Sequence, residues 1–297
     1  MPWASRTPIS GVNASWSCPV VNDPWKNARR PSSRPPRATP LPPREGGTPP
    51  PPGRGNDELR LYGWNAVQAL FAKRPQALRK LYLVDALIPR MQPVLKWCVA
   101  NRVGYRVVEE GDLNKLAATT HHEGLVADVL RAPVVPLAQW LADLEQGPVL
   151  ALWLDGVGNP HNFGAILRSA AHFGVKALLL PAGSTLALSG AAARVAEGGA
   201  ESVPLVQLPE TAQAMAQLRS AGFGLAATLV EGGDDVFRAS LPERLVYVMG
   251  AEGEGMDRGL AGQCDLQVSI PGSGAVESLN VASATAVLLA QWASRRG

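Results

Sequence analysis

Residues 149–180 read VLALWLDGVGNPHNFGAILRSAAHFGVKALLL. An unbroken apolar run, Val149–Leu154, leads into a turn rich in Gly and Asn, and a second apolar run, Ala177–Leu180, closes the stretch. Between them Phe163, Ile166, Leu167, Ala170 and Phe173 recur at helical spacing as one apolar stripe. Strands that are apolar at every position predict a sheet covered on both faces, and the intervening helix predicts a parallel crossover. The alternation continues, with strand candidates at 203–206, 225–229, 245–249 and 266–270 and helical patterns between most of them. Residues 149–297 therefore read as an α/β region built on a parallel sheet. Ligands of such sheets sit beyond the carboxyl ends of the strands, so the loops after strands are the informative ones.

Residues 57–131 form a second, smaller pattern. Helical spacing at 64–71, 94–100 and 112–117 alternates with strand-like runs at 81–84, 105–108 and 125–130, giving an αβαβαβ unit. Ala132-Pro133-Val134-Val135-Pro136 opens a linker, because proline opposes both helix and ladder pairing, and a short helix completes 132–148. Residues 1–56 contain fourteen of the 26 prolines and almost no large apolar residue after residue 30. Such a segment buries too little surface to offset its ordering entropy and reads as a disordered arm. Trp3, Trp16 and Trp25 in that arm are of a kind that stacks on bases.

The formal net charge of +3 hides a polarity. Residues 1–56 carry 8 Lys/Arg against 2 Asp/Glu, residues 57–131 carry 11 against 8, and residues 132–297 carry 9 against 15. A basic first part and an acidic last part point to an anionic partner for the former. Residues 1–20 lack a cationic start followed by an apolar run, and no stretch is long and apolar enough to span a bilayer, so no membrane association is expected. Cys18, Cys98 and Cys264 share no metal spacing and the four histidines have no cysteine nearby. No metal and a cytoplasmic location are the expectations.

Three post-strand segments carry the polar chemistry. The first, Asp155 to Arg168, places Asn162 where a helix N-cap is expected, with Arg168 and His172 opposite the apolar stripe beside Gly164, Ala165 and Ala171. Small residues beside an Arg allow a backbone or a phosphate to approach. The second, Met249-Gly250-Ala251-Glu252-Gly253-Glu254-Gly255-Met256, permits tight turns but lacks the lysine of a phosphate loop, and its carboxylates suit a nucleoside or sulfonium better than a bare phosphate. The third, Ile270 to Ala282, leads into a helix over 279–294 that is apolar nearly all round. That helix is expected to be buried in the core or against a second subunit, with Ser278 at its start and Asn280 in its first turn. Ordinary capping, a Gly-rich turn and a solvated arginine also account for each segment taken alone.

Together and in this order, the three segments resemble the SpoU-type RNA 2′-O-ribose methyltransferases of the SPOUT superfamily. Gly63-Trp64-Asn65-Ala66-Val67 and His122-Glu123-Gly124-Leu125-Val126-Ala127 are similar to the family's N-terminal RNA-binding domain, which is related to a large-subunit ribosomal protein. With its basic N-terminal arm the arrangement is most similar to the bacterial tRNA/rRNA methyltransferase subgroup. The resemblance implies S-adenosylmethionine as methyl donor, a ribose 2′-hydroxyl of rRNA or tRNA as acceptor, a C-terminal trefoil knot and a homodimer. Matched position by position, it assigns catalytic roles to Asn162, Arg168, Glu252, Ser278 and Asn280, and donor contacts, largely through main chain, to Thr228, Gly250, Ile270 and Leu279. Position 251 is Ala where many members have Asn, and position 123 is Glu where Gln is common. The alternative is a non-catalytic RNA-binding or ribosome-assembly protein that keeps the fold, which the charge polarity would also suit.

The charge polarity generates a prediction. Removing residues 1–56 leaves donor affinity unchanged and weakens RNA binding, mostly at low salt, where phosphate contacts are least screened. Equal RNA affinity of the two forms across a salt titration would reduce the arm to a linker.

Overall fold

In the computed structural model, which describes residues 57–250 and 255–295, the chain builds two sheets. The smaller begins with a strand, β1 (Glu58–Tyr62), and continues through α1 (Trp64–Lys73), β2 (Leu78–Leu83), α2 (Ile88–Ala100), β3 (Gly104–Val107), α3 (Glu110–Ala117) and β4 (Leu125–Leu130). The order is β1-β4-β2-β3, with β4 antiparallel to both neighbours and β2 parallel to β3. The expected αβαβαβ unit thus lacks its first strand. Its sequence, ELRLY, alternates charged and apolar residues, and only pairing with β4 buries Leu59 and Leu61. The helix expected from residue 94 begins at Ile88 and carries Pro93 within it.

The larger sheet has eight strands, all parallel. The segments are β5 (Val135–Pro136), α4 (Leu137–Ala142), β6 (Val149–Leu154), α5 (Pro160–His172), β7 (Ala177–Leu180), α6 (Gly190–Val195), β8 (Leu205–Gln207) and α7 (Thr211–Ser220). They continue with β9 (Gly224–Leu229), β10 (Asp234–Asp235), β11 (Arg244–Met249), α8 (Arg258–Gln263), β12 (Leu266–Ser269) and α9 (Val281–Ser294). The spatial order is β10-β12-β9-β11-β6-β7-β8-β5. Two expectations shift here. The presumed linker contributes β5, a two-residue edge strand in which Pro136 is tolerated because an edge position leaves its missing N–H outside the ladder. The strand expected at 203–206 sits at Leu205–Gln207.

Strand β6 explains why the apolar runs are unbroken. Leu150, Leu152 and Leu154 enter one core with α5, α6 and α9, while Val149, Ala151 and Trp153 enter another with α4, α7 and α8. Each fully buried large side chain contributes roughly 1.5–3 kcal/mol, so the two faces hold the strand from both sides. The stripe of α5 falls where expected, with Phe163, Ile166, Leu167 and Ala170 buried. Helical spacing puts Gly164 on the Arg168 face, yet it is buried against α6. A Cβ there would lie 2.5 Å from the Ala192 carbonyl oxygen and 2.7 Å from Val195 Cβ.

The small sheet is fastened to the large one. Arg74 makes a bidentate pair with the nearly buried Glu201 at 2.7 and 2.9 Å, and Arg131 donates to the Leu188 carbonyl at 2.7 Å. Gly190 opens α6 so close to β1 that a Cβ would overlap the Arg60 carbonyl oxygen.

Because α5 and α6 touch through Gly164, Gly164→Ala is expected to cost about 1–3 kcal/mol by overpacking. A lower denaturation midpoint at unchanged slope is the expected signature.

Candidate active site

The first motif loop follows β6. Asn159, not Asn162, caps α5: its Oδ1 accepts from the His161 N–H at 2.8 Å and Pro160 occupies the first helical position. The proline decides the register, because it favours the first turn, where a missing N–H costs nothing. Asn162 is thereby displaced into the first turn of α5. The cap of the third motif is shifted as well, by two residues. Helix α9 starts at Val281, and Asn280 rather than Ser278 is its cap, accepting from the N–H groups of Ala282 and Ser283 at 2.9 and 3.4 Å.

These two corrections are linked. The Asn280 Nδ2 donates to Asn162 Oδ1 at 3.1 Å, across 118 residues of sequence. With its Oδ1 committed to α9, the Asn280 amide has one orientation available, so the cap aims its N–H₂ at the first motif. Ser278 is exposed two residues upstream, and Leu279 beside it is 49% exposed. Glu252 and Ala251 lie outside the described residues.

The expected donor contacts cluster by topology. Thr228 in β9, Gly250 after β11 and Ile270 after β12 stand at the carboxyl ends of three neighbouring strands. Thr228 is tied down by its hydroxyl, which donates to the Val248 carbonyl at 2.9 Å. At Gly250 the chain doubles back so closely that a Cβ would lie 2.6 Å from the Met256 nitrogen and 2.7 Å from the Gly255 oxygen. Only glycine fits there, which keeps main-chain groups approachable. Exposed Leu279 and half-buried Ile270 offer apolar surface beside them. Main-chain groups with apolar flanks at these strand ends fit a nucleoside-bearing donor such as S-adenosylmethionine.

Arg168 stands six residues beyond Asn162, about 9 Å along the axis of α5. It is exposed, as the helical wheel implied, and its Nη1 lies 4.0 Å from Glu197 Oε1. A groove of about 590 Å³ runs past Arg168, His172, Glu197, Asn65 and Ser202. Within one chain, then, Asn162 and Asn280 meet, whereas Arg168 faces α1 of the small sheet.

The motifs of the small sheet serve the junction. Glu123 accepts from the Trp64 N–H at 2.8 Å and pairs with Arg194 of α6 at 3.4 Å, so the departure from Gln adds an ion pair. His122 is buried and satisfied: the Gly124 N–H donates to its Nδ1 at 3.0 Å, so its Nε2 carries the proton toward Asn114 Oδ1 at 2.9 Å.

The first motif also contains a titratable group, Asp155. Asp155 follows β6, and its N–H donates to the Met249 carbonyl at 2.8 Å. The residue lines a cleft of about 480 Å³ with Gly158, Pro160, Pro181, Ser184 and Thr185. Burial, reinforced by the nearby Asp257 carboxylate, pushes its carboxyl above the ordinary 3.8.

Known proteins resemble the chain over both of its sheets. The profile of the SpoU rRNA Methylase family matches residues 149–290, and that for RNA 2′-O ribose methyltransferase substrate binding matches residues 60–133. The chain is 40% identical over 237 residues to the uncharacterized tRNA/rRNA methyltransferase YfiF of Escherichia coli O157:H7, covering 80% of this chain and 68% of that one. It is 37% identical to the 23S rRNA (guanosine-2′-O-)-methyltransferase RlmB of Bordetella pertussis, covering 77% and 94%. Among solved structures, the SpoU methyltransferase AviRb from Streptomyces viridochromogenes in complex with AdoMet superposes with a TM-score of 0.68 at 25% identity, over 82% of this chain and 94% of that one. The AdoMet-bound rRNA methyltransferase from Sinorhizobium meliloti shares the fold, with a TM-score of 0.69 at 23% identity over 81% and 88%.

A pH prediction follows from Asp155. The unfolded chain ionises this carboxyl more readily than the folded one. Its favourable share of stability is fully present below the ordinary 3.8 and is lost as pH rises through the higher folded value. Asp155→Asn is therefore expected to stabilise the protein at pH 7 and to change little near pH 3, as read from denaturation curves at both. With two motif sets joined at the ends of a parallel sheet and both profiles matched in order, the chain belongs to the SpoU rRNA methylase family.

Proposed function

We infer that this SpoU-family chain is an S-adenosylmethionine-dependent methyltransferase that modifies a ribose 2′-hydroxyl of structured RNA, rRNA or tRNA. The observation that carries the reading is the Asn280–Asn162 hydrogen bond, which joins the first and third motif sets close to the strand ends that suit the donor. The donor, when bound, supplies an electrophilic sulfonium methyl. Main chain around Thr228, Gly250, Ile270 and Leu279 would hold it.

The roles of the side chains follow from what the reaction demands. In-line transfer needs the acceptor oxygen aligned with the methyl carbon, so positioning supplies much of the rate. Asn162 and Ser278 are of the right type to hydrogen-bond ribose or phosphate, and Asn280 orients Asn162. Glu252 belongs to the set by its place in the second motif. Arg168 acts as a fixed cation for the 2′-oxygen or an adjacent phosphate, since a guanidinium is effectively never deprotonated.

Arg168 lines the groove beside α1 of the small sheet, and this supports a homodimer in which the site is completed across subunits. A half-exposed face of α9, with Ala282, Ala286, Val287, Ala290 and Ala293, offers the small apolar surface such an interface needs. The knotted chain path and a cytoplasmic location belong to the same reading. RNA is the partner of the small sheet, whose substrate-binding profile and excess of cations support it.

Purified protein is expected to bind S-adenosylmethionine by calorimetry and to transfer label from it to bulk rRNA or tRNA. Arg168→Ala is expected to lower labelling about 100-fold, the scale for loss of one group that stabilises a developing oxyanion. RNA binding with neither donor binding nor labelling would favour the non-catalytic alternative. Undiminished labelling by Arg168→Ala would remove the role given to that residue.

A further inference from the structure

We propose that Glu197 is a positioning residue for Arg168, itself set in place by Asn65 of the small sheet domain. The proposal rests on the reading of Arg168 given above and adds a residue that none of the three motifs contains.

Glu197 follows α6 with φ of 51°, left-handed although it is not glycine, and Gly198 after it is left-handed too, with φ of 89°. Two such residues in succession reverse the chain and bring the side chain back over the groove that Arg168 lines. A non-glycine residue persists in that conformation only where its surroundings over-determine it, and such positions cluster at functional sites. Here the determinants are explicit. One carboxylate oxygen, Oε2, accepts from the Asn65 side-chain amide. The other, Oε1, is the one that lies 4.0 Å from Arg168 Nη1. Each oxygen thus has its own partner, and the partners come from opposite sides of the junction between the two sheets.

Asn65 is in turn held. It occupies the first turn of α1, whose Trp64 N–H is bound by Glu123, and Glu123 pairs with Arg194 one turn before Glu197. The Arg74–Glu201 pair clamps the far end of the same helix a few residues after Glu197. The relay from α1 to Glu197 to Arg168 therefore sits between two interdomain ion pairs. A long exposed arginine has many rotamers, and a carboxylate fixed beside it narrows them before RNA arrives. At 4.0 Å the contact biases Arg168 without engaging its guanidinium in a tight bidentate pair, so most of its five N–H donors stay open to an RNA oxygen. The small sheet then does more than hold RNA: through Asn65 it sets the cation.

The test compares full-length wild type with Glu197→Gln, Asn65→Ala, Arg168→Ala and the Glu197→Gln/Arg168→Ala pair. The readouts are methyl transfer to unmodified bulk rRNA and tRNA, RNA and donor Kd, melting temperature, and the Arg168 Nε–H resonance in nitrogen-15 spectra. Glu197→Gln keeps an oxygen for Asn65 and removes only the charge. It is expected to lower kcat about tenfold, leave both Kd values and the melting temperature unchanged, and move the Arg168 signal toward that of a free side chain. Asn65→Ala is expected to act in the same direction. In the Arg168→Ala background the Glu197 change is expected to have no further effect. Wild-type kcat in Glu197→Gln, with Arg168→Ala impaired, overturns the proposal and leaves the Arg168 reading standing. An equal loss in both backgrounds assigns Glu197 a merely structural role and also overturns it. Full activity of Arg168→Ala overturns the reading and the proposal together.

Discussion

Burial of one parallel sheet on both faces is the constraint from which the rest follows. Eight strands running the same way place every carboxyl end along one edge. The strand interiors are occupied by two cores, one on each side, and are closed to chemistry. What remains available is the row of post-strand loops, and three of them come from the neighbours β12, β9 and β11. Their main chain can face a ligand because its outward groups are not consumed by ladder pairing. Gly250 shows how tightly this edge is drawn, since a single added carbon would overlap the returning chain.

The polar contacts then join elements that the sheet has brought close. Asn280 serves two purposes with one amide, its oxygen capping α9 and its nitrogen bonding Asn162. A cap is normally a local device, worth about 1 kcal/mol to its own helix. Here it also fixes the relation between two loops from opposite ends of the large sheet's sequence. The small sheet is joined by a comparable economy. Glu123 and Glu197, both left-handed, each reach across the junction, one to Arg194 and the other to Asn65. The residues that mark the small domain in the sequence are spent largely on holding it to the catalytic part.

The apolar strands from β6 onward were legible because complete burial removes any need for polar residues. The stripe of α5 was legible because one face meets the core. The caps were misplaced for a common reason. Asn159 and Asn162 are both competent caps, as are Ser278 and Asn280, and propensity does not choose between them. Pro160 settles the first case, and the partner awaiting Asn280 settles the second. Strand β1 was missed because it is short, half charged and defined only by pairing with β4, 68 residues away at Arg60 and Asp128. Asp155 was visible as a letter in a motif, but the upward shift of its carboxyl pKa comes from burial and from Asp257, neither of which a linear reading supplies.

The sequence by itself determined the fold class, the order of the motifs, the family they resemble and the separation of basic from acidic parts. These depend on residue type and spacing, which folding does not change. The tertiary structure alone decided which polar groups meet. That Asn280 reaches Asn162 and that Glu197 stands between Asn65 and Arg168 are matters of distance. Distances between residues far apart in the chain are set by how the two cores close, and no local pattern encodes them.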